Sequence, residues 1–380
     1  MSKSKTYLGI GDIHGCKEFV DVIPGFLDSV DGLLCTGDVG GYGPDSLHCY
    51  EKMMEFQKRL ESQGKLCKIV QGNHEEGLVT ALKYAGIPMK GIASSTAQAG
   101  FNLEAGQLFG HEVLKEDGSL DAKKIKEILV KNWDEELANG NRRVIRASYL
   151  ADLERKLAEG VIEAITPNVE GFRKENIVQS SIEQSFKSRK ARQNYIALHE
   201  REQQLQRAVN ILQFIVNLKR EEVFESDGEV VGVSHTFYRD DQPLYVVGPE
   251  QLAYMDKFYE RINGSGHKMN RKAVISEKEV FKSRIFDNVD TWFFGHVHSS
   301  DEYLGTNEAD GKRIVMLPSP FPRDGKGTRA PLTFYHTGRG RKNNVERVNL
   351  KYNHRETERK LKRDNPKFLK QIQDWRSVSR

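Results

Sequence analysis

Five short polar loops hold a restricted set of side chains: Asp12 and His14; Asp38; Asn73 and His74; His235; and His296 with His298. Carboxylate, imidazole and amide groups without a thiolate suit borderline to hard divalent ions such as Mn2+, Fe2+, Ni2+ or Zn2+. The spacings Asp12-x-His14 and His296-x-His298 put both members of each pair on one side of an extended segment. Each such loop can then send two ligands to one centre or to two adjacent ones. The candidates Asp12, His14, Asp38, Asn73, His235, His296 and His298 are too many for one tetrahedral ion. They suit two ions sharing a carboxylate at the ~3.5–4 Å separation of two-metal hydrolases. The sequence carries neither a Gly-x-Ser-x-Gly nor a Cys-His signature for a side-chain nucleophile.

The loops follow apolar runs: Tyr7–Ile10, Leu33–Thr36, Cys67–Val70, Val230–Val233 and Thr291–Phe294. Helix-like stretches near 17–30 and 45–63 separate the first three, which predicts βαβ units and a parallel sheet. In such sheets ligands sit beyond the carboxyl ends of the strands, where these loops fall. Strand character also marks 314–317 and 332–335. Between about 115 and 225 the pattern changes to charged residues at helical spacing, as in Ile125, Ile128 and Leu129 or Leu150, Leu153 and Leu157. Residues 180–222 read as one long helix, with Leu205, Val209, Leu212, Ile215 and Val216 as its packing stripe. The expected organisation is an α/β core in two parts, 1–114 and 226–338, with a helical insertion or cap over 115–225. A basic tail follows over 339–380, helical from about 355 to 376.

Composition narrows the class. The 380 residues are 38% hydrophobic and 29% charged, and no apolar run approaches the ~20 residues needed to cross a bilayer. With no apolar signal-peptide core after Met1, a cytoplasmic protein with no membrane partner is expected. Cys16, Cys35, Cys49 and Cys67 lack Cys-x-x-Cys spacing and read as reduced, mostly buried thiols. The net charge of +4 is uneven, because 339–380 holds 14 Lys/Arg against 5 Asp/Glu and the rest of the chain is acidic. A basic tail of this kind is either a solvated helix or a contact for nucleic acid.

Gly11-Asp12-Ile13-His14-Gly15, Gly37-Asp38, Gly72-Asn73-His74-Glu75, Ser234-His235 and Gly295-His296-Val297-His298 occur in the order of the calcineurin-like metallophosphoesterase signature. The chain resembles that superfamily over roughly 1–90 and 228–338. Gly37-Asp38-Val39-Gly40-Gly41-Tyr42-Gly43-Pro44, Arg323-Asp324-Gly325 and Arg329-Ala330 are similar to its small YfcE-like prokaryotic phosphodiesterase branch. Two departures stand out: the long insertion, and Leu317-Pro318-Ser319-Pro320 where that branch has Asn-Pro-Gly-Ser. Ser/Thr protein phosphatases share Gly-Asn-His-Glu, but here Gly37-Asp38 is not followed by their Val-Asp-Arg-Gly. The missing guanidinium counts against a phosphoprotein substrate.

The resemblance implies an α/β/β/α sandwich with an inserted helical cap and a C-terminal helix. It also implies two divalent ions, with Mn2+ foremost, held by Asp12, His14, Asp38 and His298 on one side and by Asp38, Asn73, His235 and His296 on the other. Asp38 would bridge, a hydroxide between the ions would attack phosphorus, and His74 would protonate the leaving group. Arg323 and Tyr42 stand as substrate contacts or as loop packing. A small phosphomono- or phosphodiester, such as a nucleotide, is the expected substrate. A nuclease using the tail and the basic segment 187–192, a protein phosphatase and an inactive scaffold are the alternatives. The scaffold reading predicts missing ligands, and none is missing.

Overall fold

The computed structural model describes residues 4–83, 95–110, 113–115, 120–121, 123–125, 203–204, 207–208, 210–239, 242–247, 274–282, 287–296, 303–307, 309–320, 329–337, 344–351 and 353–364. Contacts divide the chain into two units, 1–76 with 218–380, and 77–217.

The first unit is built on two five-stranded mixed sheets. In the first, β1 (Thr6–Ile10), β2 (Gly32–Cys35) and β3 (Leu66–Ile69) run parallel. β12 (Arg329–His336) lies antiparallel against β1, and β13 (Val345–Lys351) antiparallel against β12. In the second sheet β9 (Thr291–Phe294) is parallel to both β5 (Glu229–Ser234) and β11 (Arg313–Met316). Antiparallel β4 (Glu221–Ser226) and β10 (Tyr303–Thr306) form its edges.

Side-chain alternation along the strands joins the layers. Val231, Val233, Phe293 and Val315 of the second sheet share one cluster with Tyr7, Leu34 and Tyr335 of the first. Their neighbours Trp292, Phe294, Ile314 and Met316 point the other way, as a period of two requires. These pack with Phe237, Leu244 and Val280, from a small sheet of β6 (Phe237–Arg239), β7 (Gln242–Val247) and β8 (Val274–Ser276) and the helix α6 (Glu277–Phe281). β2 is buried along its whole length, which is why it reads as an unbroken apolar run. A three-helix layer belongs to the first sheet. There α3 (Ser46–Ser62) buries Cys49, Tyr50, Met53, Phe56 and Leu60 at helical spacing and packs on β3, α1 (Lys17–Val20) and α2 (Pro24–Leu27). The chain leaves α3 at Gly64, φ +68°, with the Lys65 N–H donating to the Leu60 carbonyl, and returns as β3.

The fold is α/β, with three differences from the sequence reading. β1, β2 and β3 are parallel as expected, but both sheets are mixed, because β12 adds antiparallel to β1, β13 antiparallel to β12, and β4 and β10 antiparallel at the edges of the second sheet. The long helix expected to reach 222 ends at 217, and Glu221–Ser226 is an edge strand; alternating exposure from Glu221 to Glu225 gave it a polar composition that hid it. The tail is helical where expected over His354–Asp364 (α7), which buries Leu361 completely, but it also supplies a strand that was not expected, β13, which completes the first sheet.

In the second unit, described by itself, α5 (Ser95–Phe109) buries Phe101, Ala105 and Leu108. Phe101 lies so close to Gly77 that a Cβ there would enter its ring. In the helical stretch 210–217, Ile211, Leu212 and Ile215 are buried whereas Val216 is 40% exposed, so the packing stripe is narrower than expected. Leu205, Val209 and all of 126–202, where most of the cap was expected, lie outside the described residues. No helix among the described residues is long and apolar enough to cross a membrane.

Candidate metal centre

The parallel strands β1, β2 and β3, with β5 and β9, release their chains into the loops that carry the candidate ligands. Asp12 and His14 follow β1, Asp38 follows β2, and His235 and His296 follow β5 and β9. Asn73 opens α4 (Asn73–Lys83) beyond β3. Asp12, His14, Asp38, His74, His235 and His296 are all at most 8% exposed.

Two rings show how the site is aimed. His235 Nδ1 is 2.8 Å from the Thr36 carbonyl, and His14 Nδ1 is 3.1 Å from the Gly40 carbonyl. A carbonyl only accepts, so each neutral ring carries its proton on Nδ1 and turns the Nε2 lone pair inward. Both lone pairs face Asp38, whose Oδ2 is 3.6 Å from His14 Nε2 and 3.4 Å from His235 Nε2. Asn73 Oδ1 and His296 Nδ1 stand 2.7 and 3.0 Å from His235 Nε2.

Two groups with ligand atoms within 4.8 Å of one another result: His14, Asp38 and His74, and Asp38, His235 and His296. Asp38 belongs to both. Lone pairs of carboxylate, imidazole and amide converging from separate loops are the donor set of a divalent cation, and the residues present fit one. Backbone carbonyls that orient the ligating imidazoles are what such a centre requires around it.

The remaining candidates are placed as follows. Asp12 Oδ1 accepts the His296 N–H at 3.1 Å and lies 3.8 Å from His235 Nδ1, so Asp12 is in the site but in neither three-residue group. The Tyr42 ring lies 4.8 Å from that of His14 and 4.3 Å from that of His74, edge-on to the latter. His298 and Arg323 lie outside the described residues. Outside the site, His48 pairs with Asp21 and His336 contacts Thr6 and Glu346, as packing histidines do.

Among the described non-glycine residues, positive φ occurs at His14 (49°), Asp38 (50°), Asp227 and His296 (67°). Three of the four are candidate ligands. Each such backbone costs on the order of 1–3 kcal/mol and persists only where its surroundings hold it. For Asp38 the holding group is Glu75, which the sequence reading did not single out. Its fully buried carboxylate accepts the N–H groups of Gly72 (2.8 Å), Asp38 (2.9 Å), Val39 (2.9 Å) and Gly40 (3.3 Å), and the Tyr50 hydroxyl (2.9 Å). Bonds to a charged acceptor contribute about 1.5–3 kcal/mol each, so the set outweighs the strain.

Asp38 in turn caps α4. Its Oδ1 accepts the His74 N–H at 2.9 Å, while Glu75 reaches back to Gly72. This is a capping box whose first side chain comes from another loop, because Gly72 has none. A Cβ on Gly72 would strike the Asp38 carboxylate and backbone. The signal was available in Gly72-Asn73-His74-Glu75, where a glutamate three residues after a helix-opening glycine marks a cap.

The thiols take no part in this chemistry. Burial pushes Cys16, Cys35 and Cys49 well above the ordinary thiol range and Cys67 to about 12. All four are free.

No protein-family model and no curated protein matches the sequence. Among solved structures, the chain is similar to a metallophosphoesterase from Sphaerobacter thermophilus, at 12% identity and a TM-score of 0.44, over 100% of both chains. It is similar to a hypothetical protein from Pyrococcus horikoshii OT3 at 9% identity and a TM-score of 0.46, over 99% of this chain and 97% of that one. Neither likeness is close enough to bear on the chemistry of the site.

Proposed function

We propose that the chain is a metal-dependent phosphoesterase that transfers a phosphoryl group directly to water. The observation that carries this reading is Asp38 Oδ2 standing between the inward-turned Nε2 atoms of His14 and His235. Asp38 with His14, joined by Asp12 and His298, would hold one divalent ion, and Asp38 with Asn73, His235 and His296 a second. Bound divalent ions supply Lewis acidity toward water and neutralise charge on the phosphoryl oxygens. Mn2+ is the ion we favour, on the mixed oxygen and imidazole donor set.

The chain's own groups do the rest. Thr36 and Gly40 hold the His235 and His14 rings in register through their carbonyls. Glu75 fixes the backbone of Asp38, so the carboxylate needs no reorganisation during turnover. His74 is 2% exposed and within the His14–Asp38 group, with Tyr42 edge-on against it, which suits delivery of a proton to the leaving oxygen.

Among the described residues two tail cations have partners within the chain, which favours a small phosphoester over nucleic acid. Lys360 is paired with Glu18 and Asp45, and Arg359 with Glu356. The deciding experiment compares a chromogenic phosphomonoester with the matching diester across Mn2+, Ni2+, Zn2+ and Mg2+, for wild type and Asp38→Asn. Metal-dependent hydrolysis by wild type alone is expected. Hydrolysis that survives Asp38→Asn overturns the proposal.

A further inference from the structure

We infer that Lys360 is a positioning residue for the candidate metal centre, tying together the far ends of the two loops that carry His14 and Asp38. The inference rests on the metal-centre reading and adds to it an element outside the motif loops. The His14 loop runs into α1, where Glu18 lies, and the Asp38 loop runs to Asp45 at the start of α3. Near the site the loops are laced by His14 N–H to the Asp38 carbonyl (2.8 Å) and Gly15 N–H to the Val39 carbonyl (2.9 Å). At the far end Lys360 Nζ donates to Glu18 Oε1 at 3.0 Å and to Asp45 Oδ2 at 2.7 Å.

The clamp is anchored. Leu361 is completely buried, and the Thr357 hydroxyl donates to Glu18 Oε2 at 2.6 Å, so α7 presents the ammonium in one place. The three charged side chains are 12–23% exposed, sheltered enough for charge-assisted bonds to outlast screening. Asp45 holds the N-cap position of α3 yet makes no side-chain cap there; its carboxylate is turned to Lys360 instead. Without the ammonium, Glu18 and Asp45 are like charges brought close by the fold. Their repulsion acts on the two loops that must hold His14 and Asp38 at 3.6 Å.

The experiment is calorimetric titration of the full chain, freed of metal, with Mn2+ at a temperature well below unfolding. Lys360→Met is expected to weaken Mn2+ binding about fivefold, with Lys360→Arg near wild type and the exposed Lys362→Met unchanged. If Lys360→Met binds Mn2+ as wild type does and only the metal-free melting temperature falls, α7 is ordinary packing and the inference is overturned while the metal centre stands. If wild type itself takes up no Mn2+, Ni2+ or Zn2+, the metal centre is lost and this role with it. Should Lys360→Met fail to fold, Lys360→Gln removes the ammonium while keeping a polar donor; weaker Mn2+ binding supports the role, and unchanged binding overturns it.

Discussion

The Glu75 carboxylate accepts the backbone N–H of Asp38 at 2.9 Å, from a position three residues beyond the glycine that opens α4. One buried side chain thus holds the loop after β2 and the helix after β3 in a common frame, and the candidate ligands Asp38 and Asn73 are set by that frame. Replacing Glu75 by Gln keeps the volume but turns an amide N–H toward groups that are themselves donors. A loss of about 3 kcal/mol is expected in urea unfolding of the chelator-treated protein. A loss under about 0.5 kcal/mol, the range of ordinary surface substitutions, contradicts the anchoring role.

Gly72→Ala tests the close approach of Asp38 to α4. The added methyl meets the carboxylate and backbone of Asp38, so either the cap or the loop must move. Metal content by elemental analysis is expected to fall in the folded variant, and unfolding to cost about 2 kcal/mol. Full metal content with wild-type stability would show that the helix start is less tightly set than the contacts indicate.

His74→Ala separates proton delivery from coordination. In the proposed role of proton donor His74 would contribute about 10²–10⁴-fold to kcat, and removing it is expected to leave metal content largely intact. The structure makes this a sharp test, since His74 lies within the same 4.8 Å group as His14 and Asp38. A variant emptied of metal assigns His74 to the ligands instead.

Alkaline pH is expected to destabilise the fold. Burial raises the pKa of Cys16, Cys35, Cys49, Tyr7 and Tyr335, and brings the Cys67 thiol to about 12. Unfolded, the same groups titrate near 8.5 for Cys and 10 for Tyr. The folded chain therefore binds more protons above about pH 9, and by linkage its stability falls as pH rises. Urea midpoints at pH 7.5 and 10.5 check the sign: a higher midpoint at pH 10.5 is the contrary outcome. In the pH 7.5 samples a thiol reagent should react slowly until the chain is unfolded.

Much of the candidate site was legible because few residue types could hold a divalent cation. Asp, His and Asn at the ends of apolar runs are visible in one dimension, and the strands Tyr7–Ile10 and Thr291–Phe294 announce themselves through burial on both faces. Glu221–Ser226 and Val345–Lys351 did not, since an edge strand with one face in water alternates charged and apolar residues and lacks an apolar run. Lys360 read as one more tail cation, because nothing local marks a lysine whose partners lie more than 300 residues away.

The sequence by itself determined the set of candidate ligands and the strand ends that present them, through side-chain chemistry and the two-residue period of buried strands. Only the tertiary structure decided that Asp38 stands between His14 and His235, that backbone carbonyls turn both rings inward, and that Glu75 holds Asp38 in place. These are contacts between loops distant in sequence, and hydrogen-bond direction arises only when the chain brings donor and acceptor together.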